Sequence, residues 1–359
     1  MNILGIGVLF AQGSGVATLE SALRTGWQKP GEVEVPHHAG VKRPVYQVNL
    51  DGLPDKTLLK QNRRADKLSK MAVLAASDAL ANSGIANIAQ KKIGIILATA
   101  FGPHVTTFAF LDDILDYGDA GVSPTIFSNS VHNAATSYIA TSLKIKGPTL
   151  TVTQFRFSFQ TALQLAEVWL AQGLCDYVLV GGVDQYGEVL DYVSDHKLTT
   201  ATDGKIKPFT FEPTCQVPGE GAAFFLLSKE SAGNVYCAVN NVFINDDPSC
   251  GKTVDLNIID ADGLLPDESA YRALLSPDIP VSGYAPLFGS MMIGSAFNVA
   301  AAALMLQRQA RFAAPVQDNP HGLRLLTESG AARIGAIRCI GVNCFREKAV
   351  IYLSRLNAP

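Results

Sequence analysis

The strongest constraint on this chain is an alternation of two patterns. Continuous apolar runs take turns with segments whose apolar residues recur every three or four positions. A strand that is apolar on both faces must be covered on both, so this pattern predicts a sheet layered between helices. Asn2–Phe10 (NILGIGVLF), Ile93–Thr99 (IGIILAT) and residues 176–184 (DYVLVGGVD) are the clearest such runs. Residues 66–83 read as a helix with Leu68, Met71, Ala72, Ala75 and Ala79 on one stripe and Gly84 as its stop. Residues 133–143 and 158–172 read as two more helices. The second turns Phe159, Ala162, Leu163, Ala166 and Trp169 inward and ends at Gly173. The Gly-Gly pair in 176–184 predicts a kink at the end of that strand. A hairpin-like pair is expected after it, with 222–227 as its later strand.

A polar joint, SKESAGN, opens a second half near Glu230. Strands are expected at 236–244, 256–260, 338–344 and 349–355, with an Ala-rich buried helix at 296–309. The two halves, 1–229 and 230–359, share one grammar although their residues repeat only weakly. The expectation is an α/β protein with a duplicated layered fold.

Composition removes several function classes. The chain has 359 residues, 48% of them hydrophobic and 17% charged, enough for a large core. A net charge of −3 gives no broad basic field for nucleic acid. No run approaches the ~20 apolar residues of a membrane span. The opening MNILGIGVLFAQGSG lacks a basic leader region and reads as a first strand rather than a signal peptide. Cys175, Cys215, Cys237, Cys250, Cys339 and Cys344 form no C-x-x-C pair and read as reduced, small apolar residues, which fits a cytoplasmic protein. His37, His38, His104, His132, His196 and His321 show no metal-ligand spacing, and nothing calls for a cofactor.

Residues 147–158 (GPTLTVTQFRFS) read as a strand that breaks sharply into a helix. Such an elbow is a standard mount for a nucleophile, because its side chain faces backbone N–H groups. The residue there is Arg156, which cannot act as one. The helix N-terminus repels an exposed cation by ~0.3–1 kcal/mol, so Arg156 is expected to turn aside to a carboxylate or an outside acceptor. Phe155 and Phe157 flank it as rings able to fill a pocket. The plainer reading of Arg156 is an exposed turn residue. Likewise His132 reads as a turn histidine, Cys175 as core, Met291 and Met292 as packing or tunnel lining, and Asp262 as a turn carboxylate.

Further motifs carry a resemblance. Ser123-Pro124, Phe127, Val131-His132-Asn133 and Ile145-Lys146-Gly147-Pro148 resemble the approach to the elbow in β-ketoacyl-acyl-carrier-protein synthases. Tyr177–Asp184 resembles the strand after the elbow helix, and Lys207-Pro208-Phe209 with Pro218-Gly219-Glu220-Gly221-Ala222-Ala223 resembles a P-F-D…G-E-G-A segment. The resemblance runs over nearly the whole chain. It implies a thiolase-like fold, with two βαβαβαββ halves in α-β-α-β-α layers. It also implies a site made of an elbow cysteine, two histidines and a lysine.

Carried over position by position, the cysteine falls on Arg156 and the first histidine on Asp262. The second histidine falls on Ser290 and the lysine on Ala285. The family's closing N-S-F-G-F-G-G loop becomes Asn343-Cys344-Phe345-Arg346-Glu347, without the glycines. Four losses and a rebuilt loop point to a scaffold no longer used for condensation.

A branch of this family, the chain length factors, lacks a functional nucleophile and pairs with an active ketosynthase to shape the chain tunnel. Many of its members, like the malonyl decarboxylases, carry glutamine at the elbow, whereas Gln154 here lies two positions early. The branch implies a cytoplasmic heterodimer serving fatty-acid, polyketide or aryl-polyene synthesis, with acyl carrier protein reached through the complex. It implies a dimer strand at Thr149, Thr151, Thr153 and Gln154. It also implies partner-facing or tunnel residues at Phe127, Ser128, Asn129, Val131, His132, Asn133, Phe155 and Phe157. Two alternatives stay open: an unorthodox condensing enzyme or acyltransferase using Ser158 or Cys215, and a homodimeric scaffold that binds carrier protein or acyl chains.

Overall fold

A computed structural model describes residues 1–35, 40–86, 90–231, 234–245 and 253–356. His37, His38, Cys250 and residues 232–233 of the polar joint lie outside the described residues.

Ten strands form the main path of one mixed sheet: β1 (Asn2–Phe10), β2 (Ile93–Thr99), β3 (Thr149–Thr153), β4 (Tyr177–Asp184), β5 (Gly221–Ser228), β6 (Cys237–Ile244), β7 (Leu256–Ile259), β8 (Val281–Ser282), β9 (Ala336–Val342) and β10 (Lys348–Ser354). Their order is β3-β2-β4-β5-β1-β6-β10-β9-β7-β8, and the short strand Gly13–Ser14 pairs with β1 off this path. The first five strands and the last five repeat one topology. In each, the third, second and fourth strands run parallel, and the fifth and first close the set antiparallel. The two sets meet where Asn2 and Ile3 of β1 pair with Ala238 and Cys237 of β6.

The helices that bear on the elbow and the surfaces around it are α1 (Lys67–Asn82), α2 (His104–Tyr117), α3 (Pro124–Asn129), α4 (Ala134–Leu143), α5 (Ser158–Ala171), α6 (Glu188–Asp195) and α7 (Gly294–Arg308). Asp66 caps α1 by accepting from Ser69 N. The predicted stripe of α1 is fully buried against the outer face of the first strand set. Gly5 and Gly7 allow this approach, since a Cβ on either would fall 2.1 or 2.0 Å from the carbonyl oxygens of Ala79 and Ala75. Helices α5 and α7 pack against strands of both sets, and the largest core cluster gathers around them. Over the second set, the outer layer is the 3-10 helix Ser269–Leu274 with Phe209 and Phe211. The layered thiolase-like arrangement is thus present. Among the described residues, no helix is long and apolar enough to cross a membrane.

Some local expectations change. Strand β4 runs through Gly181-Gly182 without ending there. Gly181 instead makes room for Phe224, whose ring a Cβ would meet at 2.2 Å. Strands β4 and β5 are antiparallel neighbours, but residues 185–220, including α6, join them in place of a hairpin turn. Helix α2 escapes the sequence pattern because Val105, Phe108, Leu111 and Leu115 face outward, leaving His104 as its one buried residue. Cys175, Cys237 and Cys339 are buried as expected, whereas Cys215 is half-buried and Cys344 is exposed in the turn after β9.

Candidate functional site

The elbow forms where β3 ends and α5 begins at Ser158. Gln154 N still donates to Thr99 O, so the chain leaves the sheet only after that residue. Arg156 then turns inward and is 4% exposed. Its Nη1 donates to both carboxylate oxygens of Asp262 at 2.9 and 3.0 Å, Nη2 to the Asp260 carbonyl at 2.7 Å, and Nε to the Val342 carbonyl at 3.2 Å. Of the readings open for Arg156, the structure adopts the inward turn to a carboxylate. The guanidinium fastens the elbow to the ends of β7 and β9 in the second strand set.

The acidic side of the cluster is built after β7. Asp262 also accepts from Leu264 N, and Glu268 Oε1 accepts from the backbone N–H groups of Asp262 and Gly263. The Tyr271 hydroxyl accepts from Val342 N. Ser290 Oγ donates to the Asp262 carbonyl and accepts from Val217 N. Three of the positions singled out in the sequence, Arg156, Asp262 and Ser290, therefore meet in one bonded network. The fourth, Ala285, opens the short helix Ala285–Phe288 and packs with Tyr46, Ala201, Ile206 and Val217. Sequence reasoning missed Asp260, Glu268 and Tyr271. The available signal was Asp-Ala-Asp closing an apolar strand, where buried carboxyls need a cation.

Burial dominates the electrostatics. It opposes the charge on Arg156, but Asp262 and Asp260 outweigh it and hold the guanidinium protonated well above its ordinary value. Burial pushes the Asp262 carboxyl up, while Arg156 and the Leu264 N–H pull it back. Asp260 is pushed up to about 8 by burial, against Arg156 and with Asp262 adding to it. Glu268 is pushed up to about 8 by burial and by Asp262. Burial thus favours the protonated forms of Asp260 and Glu268, while Arg156 draws Asp262 toward its charged form. Asp260 Oδ1 accepts from Asn298 Nδ2, and its Oδ2 has no hydrogen-bond partner.

Every hydrogen bond of the Arg156 side chain is made to an interior group. Ser158 is fully buried and its Oγ has no partner. The rings of His104, His196 and His321 bond to backbone carbonyls and reach neither a serine nor a cysteine. His132 is exposed and lies over Gly102, whose φ is +62°. The two flanking rings part company: Phe157 is 2% exposed and packs inside, whereas Phe155 is 62% exposed with its centroid 5.4 Å from that of Phe101. Met291 is buried and Met292 half-buried, and both line a cavity next to Ser290.

Most of the remaining predicted positions are exposed. Phe127, Ser128, Val131, His132 and Asn133 are exposed, while Asn129 is buried and bonds Arg64 O and the Tyr138 hydroxyl. Thr149, Thr153 and Gln154 are exposed, and Thr151 is half-buried against the Thr136 hydroxyl. The closing loop is a tight exposed turn in which Asn343 and Glu347 bond each other and Arg346 pairs with Asp267.

A family model described as Beta-ketoacyl synthase, N-terminal domain, matches residues 1–232. Polyketide synthase PksN of Bacillus subtilis (strain 168) is 30% identical over 115 residues, 30% of this chain but only 2% of that protein. Nodulation protein E of Rhizobium meliloti (strain 1021) is 24% identical over 279 residues, 76% of this chain and 68% of that protein. Among solved structures, the ishigamide ketosynthase/chain length factor superimposes with a TM-score of 0.82 at 16% identity, covering 99% of both chains. A β-ketoacyl synthase from Burkholderia phymatum STM815 gives 0.79 at 16% identity, again over 99% of both. A type II polyketide ketosynthase complexed with its acyl-carrier protein, AntDE:AntF, gives 0.81 at 15% identity over 99% of both. At such identities these structures bear on the fold alone.

Proposed function

The chain belongs to the β-ketoacyl synthase family, and from that premise we propose that it is a non-condensing subunit that pairs with an active ketosynthase and shapes its chain tunnel. One observation carries this reading. Where the family mounts its nucleophile, Arg156 is locked into a buried ion pair with Asp262. Of the positions proposed to match the two catalytic histidines, Asp262 holds Arg156 directly and Ser290 bonds the Asp262 carbonyl. With a guanidinium at the elbow and a carboxylate and a hydroxyl in place of two imidazoles, the site lacks the groups that the family's thioester chemistry uses.

The outer surface supports a partner. Strand β3 is a sheet edge with β2 as its one neighbour among the described residues. Leu150 and Phe155 stand exposed along it, with Phe127 and Val131 exposed in the partner-facing segment. Edges of this kind are natural templates for another chain. One structural neighbour is itself a ketosynthase/chain length factor, and another is a ketosynthase bound to an acyl-carrier protein. An active ketosynthase and, through the complex, an acyl carrier protein are accordingly the proposed partners.

Co-expression with a ketosynthase encoded nearby tests the reading. The expected result is a stable mixed dimer that buries roughly 2,000 Å² or more. Incubation with acylated carrier protein should leave this chain unmodified in intact-mass spectra. A covalent acyl adduct on this chain, or purification only as a homodimer, rejects the proposal.

A further inference from the structure

Strands β2 and β3 run parallel, and two lysines come shortly before each: Lys91 and Lys92 before β2, Lys144 and Lys146 before β3. Gly147 lets the two approaches meet, since a Cβ there would lie 1.9 Å from the Ile93 carbonyl oxygen. All four lysines are exposed, and all four line one cavity of about 360 Å³. Arg156 stands past the other end of β3, so this cavity is separate from the ion cluster.

Like charges gathered in one place repel and cost stability unless something offsets them. The cavity's lining holds no acid. Among the described residues, the lysines that form ion pairs are Lys29, Lys67 and Lys207, none of them here. Asp176 comes near, but it accepts from the backbone N–H of Lys92 at 3.1 Å, and the Lys92 ammonium donates to the Gly173 carbonyl at 3.4 Å. The whole chain has a net charge of −3, so this gathering of positive charge is local. The backbone adds a second observation. Helix α4 ends in a left-handed residue, closed by Ile145 N donating to the Ala140 carbonyl at 2.9 Å. Gly or Asn normally fills that place, yet here it is Lys144, at φ +56°. The helix C-terminus favours a cation, which suits Lys144 but leaves Lys91 and Lys92, on another segment, unexplained.

The wall of the cavity differs from its rim. Leu80 of α1, Leu143 of α4 and Ile145 line it and are half-buried. Its volume falls within the about 300–1,000 Å³ of ordinary small-molecule sites. Lysine ammoniums are compact point charges with three donors each, which suit phosphate oxygens. A phosphate monoester carries about two negative charges at neutral pH, against one for a carboxylate. We propose that this cavity binds a phosphate monoester bearing an apolar or flat body. The lysines hold the phosphate, and Leu80, Leu143 and Ile145 hold the body. The site lies within this chain, so it stands or falls independently of the pairing proposed above.

Titration calorimetry on the full chain tests the site with hexyl phosphate, adenosine 5′-monophosphate and inorganic phosphate. At least one ester should bind about tenfold tighter than inorganic phosphate. A preference for hexyl phosphate assigns the site to lipid-like phosphates, and a preference for the nucleotide assigns it to nucleotides. Replacing two rim lysines together, Lys91→Gln with Lys146→Gln, should weaken the better ester about tenfold. Lys144→Gly relieves the left-handed backbone, so its melting temperature should hold or rise while binding weakens about threefold. Failure of both esters to bind, or binding that survives the double substitution, overturns the site. Inorganic phosphate binding as tightly as the esters overturns the role of the apolar wall. A lower melting temperature with unchanged binding in Lys144→Gly removes Lys144 from the site.

Discussion

The two ends of the sheet occupy the same place in the repeated topology and finish differently. Strand β3 at one end has β2 on one side and exposes Thr149, Leu150 and Thr153. Strand β8 at the other end has two residues, both buried. Its outer side is capped from within, since Val281 N donates to Arg324 O and Leu326 N donates to Val281 O. The chain therefore has a way of closing such an edge and applies it at one end. The open end carries the β-branched run Thr149, Thr151, Val152 and Thr153 beside an exposed leucine, a costly surface to leave bare. Under the proposed pairing, the difference separates the end that meets a partner from the end that does not.

The seam between the two strand sets should give the largest effect. Arg156 ties the elbow next to the open edge to strand ends of the capped set. Arg156→Ala strands Asp262 in the interior and should cost about 3–5 kcal/mol in chemical denaturation. Pairing Arg156→Met with Asp262→Leu removes both charges and should recover most of that loss. A single variant as stable as the parent would show that the ion pair contributes nothing to joining the sets. The capped end comes next. Val281→Pro deletes the N–H bonded to Arg324 and should cost about 1–3 kcal/mol; no loss there would mean that the cap is ornamental.

Protonation at the seam gives a graded effect. Asp260 and Glu268 titrate near 8 in the folded chain and near 4 when unfolded. Between those values the folded state binds more protons, so stability falls as pH rises. Each group contributes a slope of at most about 1.4 kcal/mol per pH unit. Melting temperature should therefore decline from pH 5 to 8, and Asp260→Asn should flatten the decline. A melting temperature that rises over that range would place both carboxyls in their ionised form.

The fold was largely legible because it rests on apolar periodicity. The buried strands, the stripes of α1 and α5 and the Ala-rich α7 all announce themselves by what they must hide. Helices α2 and α6 were not legible for the converse reason. One turns its apolar side chains outward, and the other is held by Arg43 to Asp191 and Asp195, a pairing distant in sequence. The elbow was read from local turn grammar, and the sign of the helix field said only that Arg156 would turn aside, to a carboxylate or to an outside acceptor. The rest of the cluster was hidden because Asp260, Glu268 and Tyr271 become neighbours of Arg156 only when the second strand set docks on the first.

The smallest expected change in stability belongs to the open edge, and it discriminates best. Gln154 N donates inward to Thr99 O, and Pro148 O accepts from Ile95 N. Alternate residues of a parallel strand point to opposite sides, so the Thr153 N–H faces away from β2. Proline there removes a donor that no neighbour among the described residues uses, and the isolated chain should lose about 0.5 kcal/mol or less. A partner strand added along β3 would lose a ladder bond and meet the proline ring. Thr153→Pro should therefore abolish the mixed dimer in native mass spectrometry while leaving the unfolding midpoint of the free chain in place. A dimer that survives the substitution moves the interface elsewhere, and a free chain that unfolds early would mean that the edge is already engaged from within.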